Sequence, residues 1–135
     1  MRHWLVKSEP TVYSFARLRE EGGTRWDGIR NAQARIWLGE MKRGDRVLFY
    51  HSQTDKAVVG EAEVAKEAYP DPTADDGKWL CVDLAPVRAL PTPVTLGQFR
   101  DEPLLAGTYL VKQGRLSVVP LSPEQYARVI QLGGL

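Results

Sequence analysis

A chain of 135 residues with 43 % hydrophobic content has room for about one domain and one core. Eighteen basic residues against seventeen acidic ones leave a formal charge of +1, which excludes a polybasic tail or an acidic tract as the main device. A single cysteine, Cys81, and two histidines, His3 and His51, exclude a disulfide framework and a cysteine-based zinc cluster, so neither metal nor cofactor is expected.

In chain order, residues 3–6 read as a short strand. The following SEPTVYSFARLREEGG changes to helical period: Val12, Phe15 and Leu18 share a face, and Gly22 with Gly23 stops the turn. Residues 31–41 form a second helix candidate, with Ala32, Ala34, Ile36, Trp37 and Leu38, closed by the MKRGD turn at Gly44. Strand patterns then take over at 46–51 (RVLFYH), 57–65 (AVVGEAEVA) and 79–87 (WLCVDLAPV). Between the last two, AYPDPTADDGK reads as a surface loop. Pro86, Pro91 and Pro93 make an extended passage into a short helix over 95–100 with Thr95 as N-cap. Residues 115–121 are a last strand, and Ser122-Pro123-Glu124-Gln125 announces a terminal helix by cap, first-turn proline and capping box. No repeat or low-complexity segment interrupts the chain. The whole reads as one domain, 1–135, of α+β class. Its five or so strands are expected to form a strongly curved, barrel-like sheet, because closure would remove the edges that VLFY and VVPL otherwise expose.

Charge is uneven. Residues 1–60 hold eleven basic and seven acidic residues, while 61–135 hold seven basic and ten acidic, so an anion-facing surface belongs in the first half. The start, MRHWLVKSEP, lacks an apolar run of signal-peptide length, and no eighteen apolar residues are consecutive. Those features, with one unpaired cysteine, predict a reduced, non-membrane setting, cytosolic or nuclear, with cytoplasmic as the expectation.

Three constellations carry possible chemistry. Lys7-Ser8-Glu9-Pro10 offers a hydroxyl and a carboxylate to a ligand edge, or serves as a helix entry. In Trp26-Asp27-Gly28-Ile29-Arg30-Asn31 the ring can offer a planar stacking face, Asn31 can present a donor and an acceptor together, and Arg30 can grip a phosphate or a carboxylate. The plain alternative is a turn with Trp26 in the core and Asn31 as an N-cap. Tyr50-His51-Ser52-Gln53 ends the most hydrophobic strand, where hydroxyl, imidazole and amide can converge on a pocket rim, although a lone histidine in such a place is more often a satisfied structural one. Arg115, after Gly114, can reach a phosphate or remain a surface residue. G-x-S-x-G, G-x-G-x-x-G and P-loop signatures are all missing, which argues against a serine hydrolase and against dinucleotide or P-loop sites.

Taken together, KSEP (7–10), WDGIRN (26–31), QAR (33–35), VLFYHS (47–52), VVGEAEV (58–64), KEAYPDPT (66–73) and RLSVVPLS (115–122) resemble the EVE domain family, over about residues 3–131. That family belongs to the PUA-like class alongside PUA, YTH and ASCH domains. The resemblance implies a PUA-like pseudo-barrel of about five strands with flanking helices and no established catalysis. It also implies recognition of a modified base, most readily modified cytosine in DNA, taken out of the strand into a pocket. Carried onto this chain, the base pocket comprises Lys7, Ser8, Glu9, Trp26, Asp27, Asn31, His51 and Ser52, with Arg30 and Arg115 on the phosphate backbone. One departure is the short segment 74–78 between Thr73 and Trp79, where many members carry a longer insertion.

The expected partner is therefore modified DNA or RNA, bound without a membrane by a monomer or weak homodimer. The small net charge predicts weak affinity for unmodified duplex and a shallow salt dependence. The competing readings are an RNA-binding or RNA-modification accessory protein, in which Glu9, Asp27 and His51 would supply acid and base groups, and an interaction scaffold with a vestigial pocket.

Overall fold

The computed structural model describes residues 1–135. Strand β1 (His3–Ser8) leads through α1 (Phe15–Glu21) and the short β2 (Thr24–Trp26) to α2 (Ala32–Glu40). Strands β3 (Arg46–His51), β4 (Ala57–Pro70) and β5 (Leu80–Thr95) follow. The chain ends with α3 (Leu96–Asp101), α4 (Tyr109–Lys112), β6 (Val118–Leu121) and α5 (Pro123–Leu132). No helix is long and apolar enough to cross a membrane.

The six strands lie in the order β2-β5-β4-β3-β1-β6. Only β1 and β3 run parallel; the other neighbours are antiparallel. This corrects the expected five-stranded pseudo-barrel. The sheet is open, with β2 at one edge and β6 at the other, and the two do not pair. Closure is not needed to protect the apolar strands. VLFY lies in β3, inside the sheet between β1 and β4. VVPL is an edge, but one of four residues carrying Pro120, and a short, proline-bearing edge resists further pairing. The sixth strand, β2, has only three residues and follows two glycines, so its pattern is too short to read from sequence.

The core is one cluster of thirty buried residues running from Trp4 to Val129. Local rules place most helix ends. The Ser14 side chain accepts from the Arg17 amide to start α1, and Gly22, at φ 75, closes it. Thr95 and Ser122 each form a full capping box with Gln98 and Gln125. The last helix is moored through the buried Glu61, which accepts from the Tyr126 hydroxyl and, at 2.9 Å, from Arg88 Nε.

Two long-range contacts set the end of the sheet where the site lies. The Phe15 ring packs directly over Gly60 of β4, so closely that any Cβ there would run into it. The Phe15 ring also meets Phe49 of β3 edge-on at 5.4 Å. The first turn of α1 is thereby held against the sheet, with β1 and β2 flanking it.

Candidate nucleic-acid interface

An open cleft of about 680 Å³ forms where the end of β1, the entry and outer face of α1, and β2 with its following loop meet. That volume falls within the range of about 300–1,000 Å³ typical of small-ligand sites. Trp26 lines it as the last residue of β2 and is only 9 % exposed. Its ring is wedged between Phe49 at 5.4 Å and Tyr13 at 6.1 Å, both near perpendicular. One wall is a closed triad. The Tyr13 hydroxyl donates to Glu21 at 2.6 Å, Arg17 Nε donates to the other Glu21 oxygen at 3.2 Å, and the Arg17 guanidinium lies 5.0 Å from the Tyr13 ring. Burial and the bond to Glu21 push the Tyr13 phenol up. The bond from Tyr13 draws the Glu21 carboxyl down.

Charges of both signs line the cleft. Arg17 pairs with Glu21 and Arg25 with Asp27 at 2.8 Å, whereas Glu9 has no ionic partner. Lys7 donates to the Gly114 carbonyl and is half-buried, and that burial pulls its ammonium down. No cluster of three His, Cys, Asp or Glu side chains is arranged to hold a metal ion.

Five of the residues singled out in the sequence meet here: Lys7, Ser8, Glu9, Trp26 and Asp27. The Ser8 hydroxyl donates to the Tyr13 carbonyl at 2.6 Å, which fixes the bend from β1 into α1. The other three lie elsewhere. Asn31 is the N-cap of α2, its side chain accepting from the Ala34 amide at 3.0 Å. His51 sits beneath α1, accepting at Nε2 from the Phe15 amide and meeting Asp55 through Nδ1. Ser52 lines a separate cavity that shares Lys7 with the cleft.

The two arginines differ sharply. Arg30 donates to Asp71 at 3.0 Å and to the Thr73 hydroxyl at 2.9 Å. Arg115 is exposed and forms no ion pair. Asp71, assigned from sequence to a surface loop, is 1 % exposed. Burial alone would raise its carboxyl, but bonds from the Thr73 hydroxyl, the Gly28 and Thr73 amides and Arg30 outweigh that and hold it well below the usual carboxylate range. Asp71 therefore fixes the loop after Trp26 from across the fold.

Sequence reasoning missed the Tyr13–Arg17–Glu21 wall, although the spacing of four residues between its members was a readable signal. It also missed Thr24 and Arg25, which arrive with the unread β2, and the apolar Val12 and Ile29 on the cleft.

The EVE domain model matches residues 2–132. The chain belongs to the EVE domain family. Among EVE-domain relatives, human thymocyte nuclear protein 1 is 32 % identical over 164 aligned residues, covering 96 % of this chain and 73 % of that protein. A crystal structure from Agrobacterium tumefaciens is 43 % identical with a TM-score of 0.97, covering all of this chain and 94 % of its own. The human THYN1 protein, crystallised in complex with DNA containing 5-methylcytosine, is 30 % identical with a TM-score of 0.91, covering 100 % of this chain and 99 % of that one. The curated relatives from chicken, human, mouse, rat and zebrafish are all named thymocyte nuclear protein 1. That name corrects the cytoplasmic expectation, which rested on the lack of signal-peptide and membrane-length runs and on a single cysteine, features that a nuclear protein shares. Cytosol and nucleus are both reducing, so cysteine usage does not separate them.

Proposed function

We propose that this EVE domain is a non-catalytic reader of DNA containing 5-methylcytosine, which takes the modified base into the cleft between β1, α1 and β2. The observation that carries the reading is the likeness, over the whole of this chain, to the human THYN1 protein crystallised with such DNA. The chemistry of the cleft supports it. Cytosine presents an amino donor at N4, where thymine presents a carbonyl acceptor. The cleft offers acceptors. Glu9 lacks an ionic partner, Asp27 bonds only Arg25, and the Ser8 proton is already directed to Tyr13, leaving that oxygen's lone pairs. Val12 and Ile29 give apolar surface for the 5-methyl group, and Trp26 gives an aromatic surface for stacking.

In this reading Lys7, Ser8, Glu9, Trp26 and Asp27 contact the nucleotide. Asn31 and His51 act one step removed, holding α2 and α1 in place. Arg115 is free to meet the backbone, whereas Arg30 would first have to leave Asp71. Extruding a base costs a few kcal/mol, least in single strands or mismatches, so a single-stranded or destabilised site binds best.

Amide chemical shifts of the ¹⁵N-labelled chain, followed on adding a short methylated DNA strand and its RNA counterpart, test the placement. Shifts concentrated at Ser8–Tyr13 and Trp26–Ile29, larger with DNA, are expected. Shifts elsewhere with these segments unmoved would refute it.

A further inference from the structure

A second cavity, of about 240 Å³, lies beside the cleft and is bounded by the turn between β3 and β4, the start of α3, and α4. Its charged lining is entirely cationic: Lys7, Lys56 and Arg100, with no carboxylate. Lys56 and Arg100 take part in none of the ion pairs of the molecule. The hydroxyl-bearing residues Tyr50 and Ser52 line the same space, and the charge of Arg100 is near enough to offset part of the rise that burial imposes on the Tyr50 phenol. Three cations lining one space with no carboxylate give it a positive potential that favours an anion.

The backbone points to the same place. Gln53 and Lys56 are the only non-glycine residues with positive φ, at 67° and 46°, and both line this cavity. Ordinary residues adopt that conformation at a cost, and such strain concentrates at functional sites. It is held here by a bond from the Leu96 amide to the Lys56 carbonyl at 2.8 Å, which ties the turn to the start of α3.

We infer that this cavity binds a phosphate group, and that in the DNA complex its occupant is a backbone phosphodiester next to the base held in the cleft. Lys7 makes the connection, because it is the one residue that lines both spaces. A nucleotide seated against one side of Lys7 brings its own phosphate to the other. The inference rests on the DNA reading and assigns to it two residues, Lys56 and Arg100, that the sequence did not single out. It also gives Ser52 a role as a hydroxyl donor to phosphate oxygen.

The test is the double variant Lys56→Gln/Arg100→Gln, with Arg100→Lys as the charge-keeping control. Both side chains are exposed and unpaired, so the thermal transition should match wild type. Fluorescence anisotropy with methylated and unmethylated single strands is read between about 50 and about 200 mM salt. The double variant is expected to lose about tenfold in affinity for both strands, to keep its preference for the methylated one, and to show a salt slope shallower by about 0.7–1.4. Unchanged affinity and slope overturn the inference. A parallel titration with inorganic phosphate follows the Gln53 and Lys56 amides. If phosphate moves those amides while the double variant binds DNA like wild type, the site takes free phosphate and the backbone assignment is overturned. Wild-type protein that binds both strands equally defeats the base-reading proposal alone, since the change in slope still reports on the phosphate site.

Discussion

The backbone amide of Phe15 donates to Nε2 of His51 at 3.1 Å, joining the first residue of α1 to the last residue of β3. Because Nε2 accepts, Nδ1 carries the ring hydrogen and donates it to Asp55 at 2.8 Å. Both nitrogens are satisfied, and the ring faces the underside of α1. The bond holds in place the helix whose outer face, together with Tyr13 just before it, forms the Tyr13–Arg17–Glu21 wall.

Replacing this histidine is therefore expected to act on stability first. His51→Ala leaves the buried Phe15 amide without its acceptor and should cost about 1–3 kcal/mol. Urea unfolding should show a lower midpoint at unchanged slope. A variant as stable as wild type would mean that the bond contributes nothing.

In the proposed reading Trp26 both packs the core and stacks on the base, and different substitutions separate the two. Trp26→Ala removes a ring packed on Phe49 and Tyr13 and is expected to cost about 3–5 kcal/mol in stability, with at least about tenfold weaker binding to a methylated strand. Trp26→Phe keeps an aromatic face and should retain most of the binding. If Trp26→Ala stays folded and binds like wild type, the stacking role is wrong.

How legible all this was in the sequence depended on whether the deciding interaction was local. The N-cap at Thr95, the capping box at Ser122 and the strand Arg46–His51 are written in adjacent residues, and the structure has them as read; the Gln98 half of a box at Thr95 was equally local and went unread. Asn31 and Trp26 show the limit. Either residue suits a ligand or a fold, and the structure uses Asn31 as an N-cap while Trp26 is both largely buried and at the cleft. Asp71 was illegible, because its partners Gly28 and Arg30 lie more than forty residues away and its own neighbours, two prolines and a threonine, spell a surface turn. The open sheet was illegible for a related reason. Strand count alone does not say whether the outer strands meet, and the edge β2 is set by pairing with the distant β5.

Asp71 makes a prediction about pH. Its carboxyl is held below the unfolded value of about 3.9, so the folded state favours the ionised form. Its contribution is fully present above about pH 4 and is lost as the pH falls further, through the folded-state value. Asp71→Asn should be less stable than wild type at neutral pH, and the gap should narrow in acid. A gap independent of pH between about 7 and 3 would show that its charge is not what holds the loop.

Val12 is 67 % exposed and apolar on the wall of the cleft, so the core does not need it. If it covers the 5-methyl group, Val12→Ser should leave binding of unmodified cytosine nearly unchanged and reduce the preference for the methylated base by about fourfold, the equivalent of roughly 0.8 kcal/mol for one buried carbon. An unchanged preference would place the methyl group against another surface, with Ile29 the next to substitute.

In the proposed reading, the cleft distinguishes a base by its donor edge and its methyl group together. The most direct measurement is the affinity of the chain for three otherwise identical DNA strands that carry 5-methylcytosine, cytosine or thymine at one position. Cytosine lacks the methyl, and thymine keeps it but replaces the N4 amino donor with an acceptor. Tightest binding to 5-methylcytosine is expected, with cytosine and thymine each weaker. Equal affinity for 5-methylcytosine and thymine, or for all three, would contradict it.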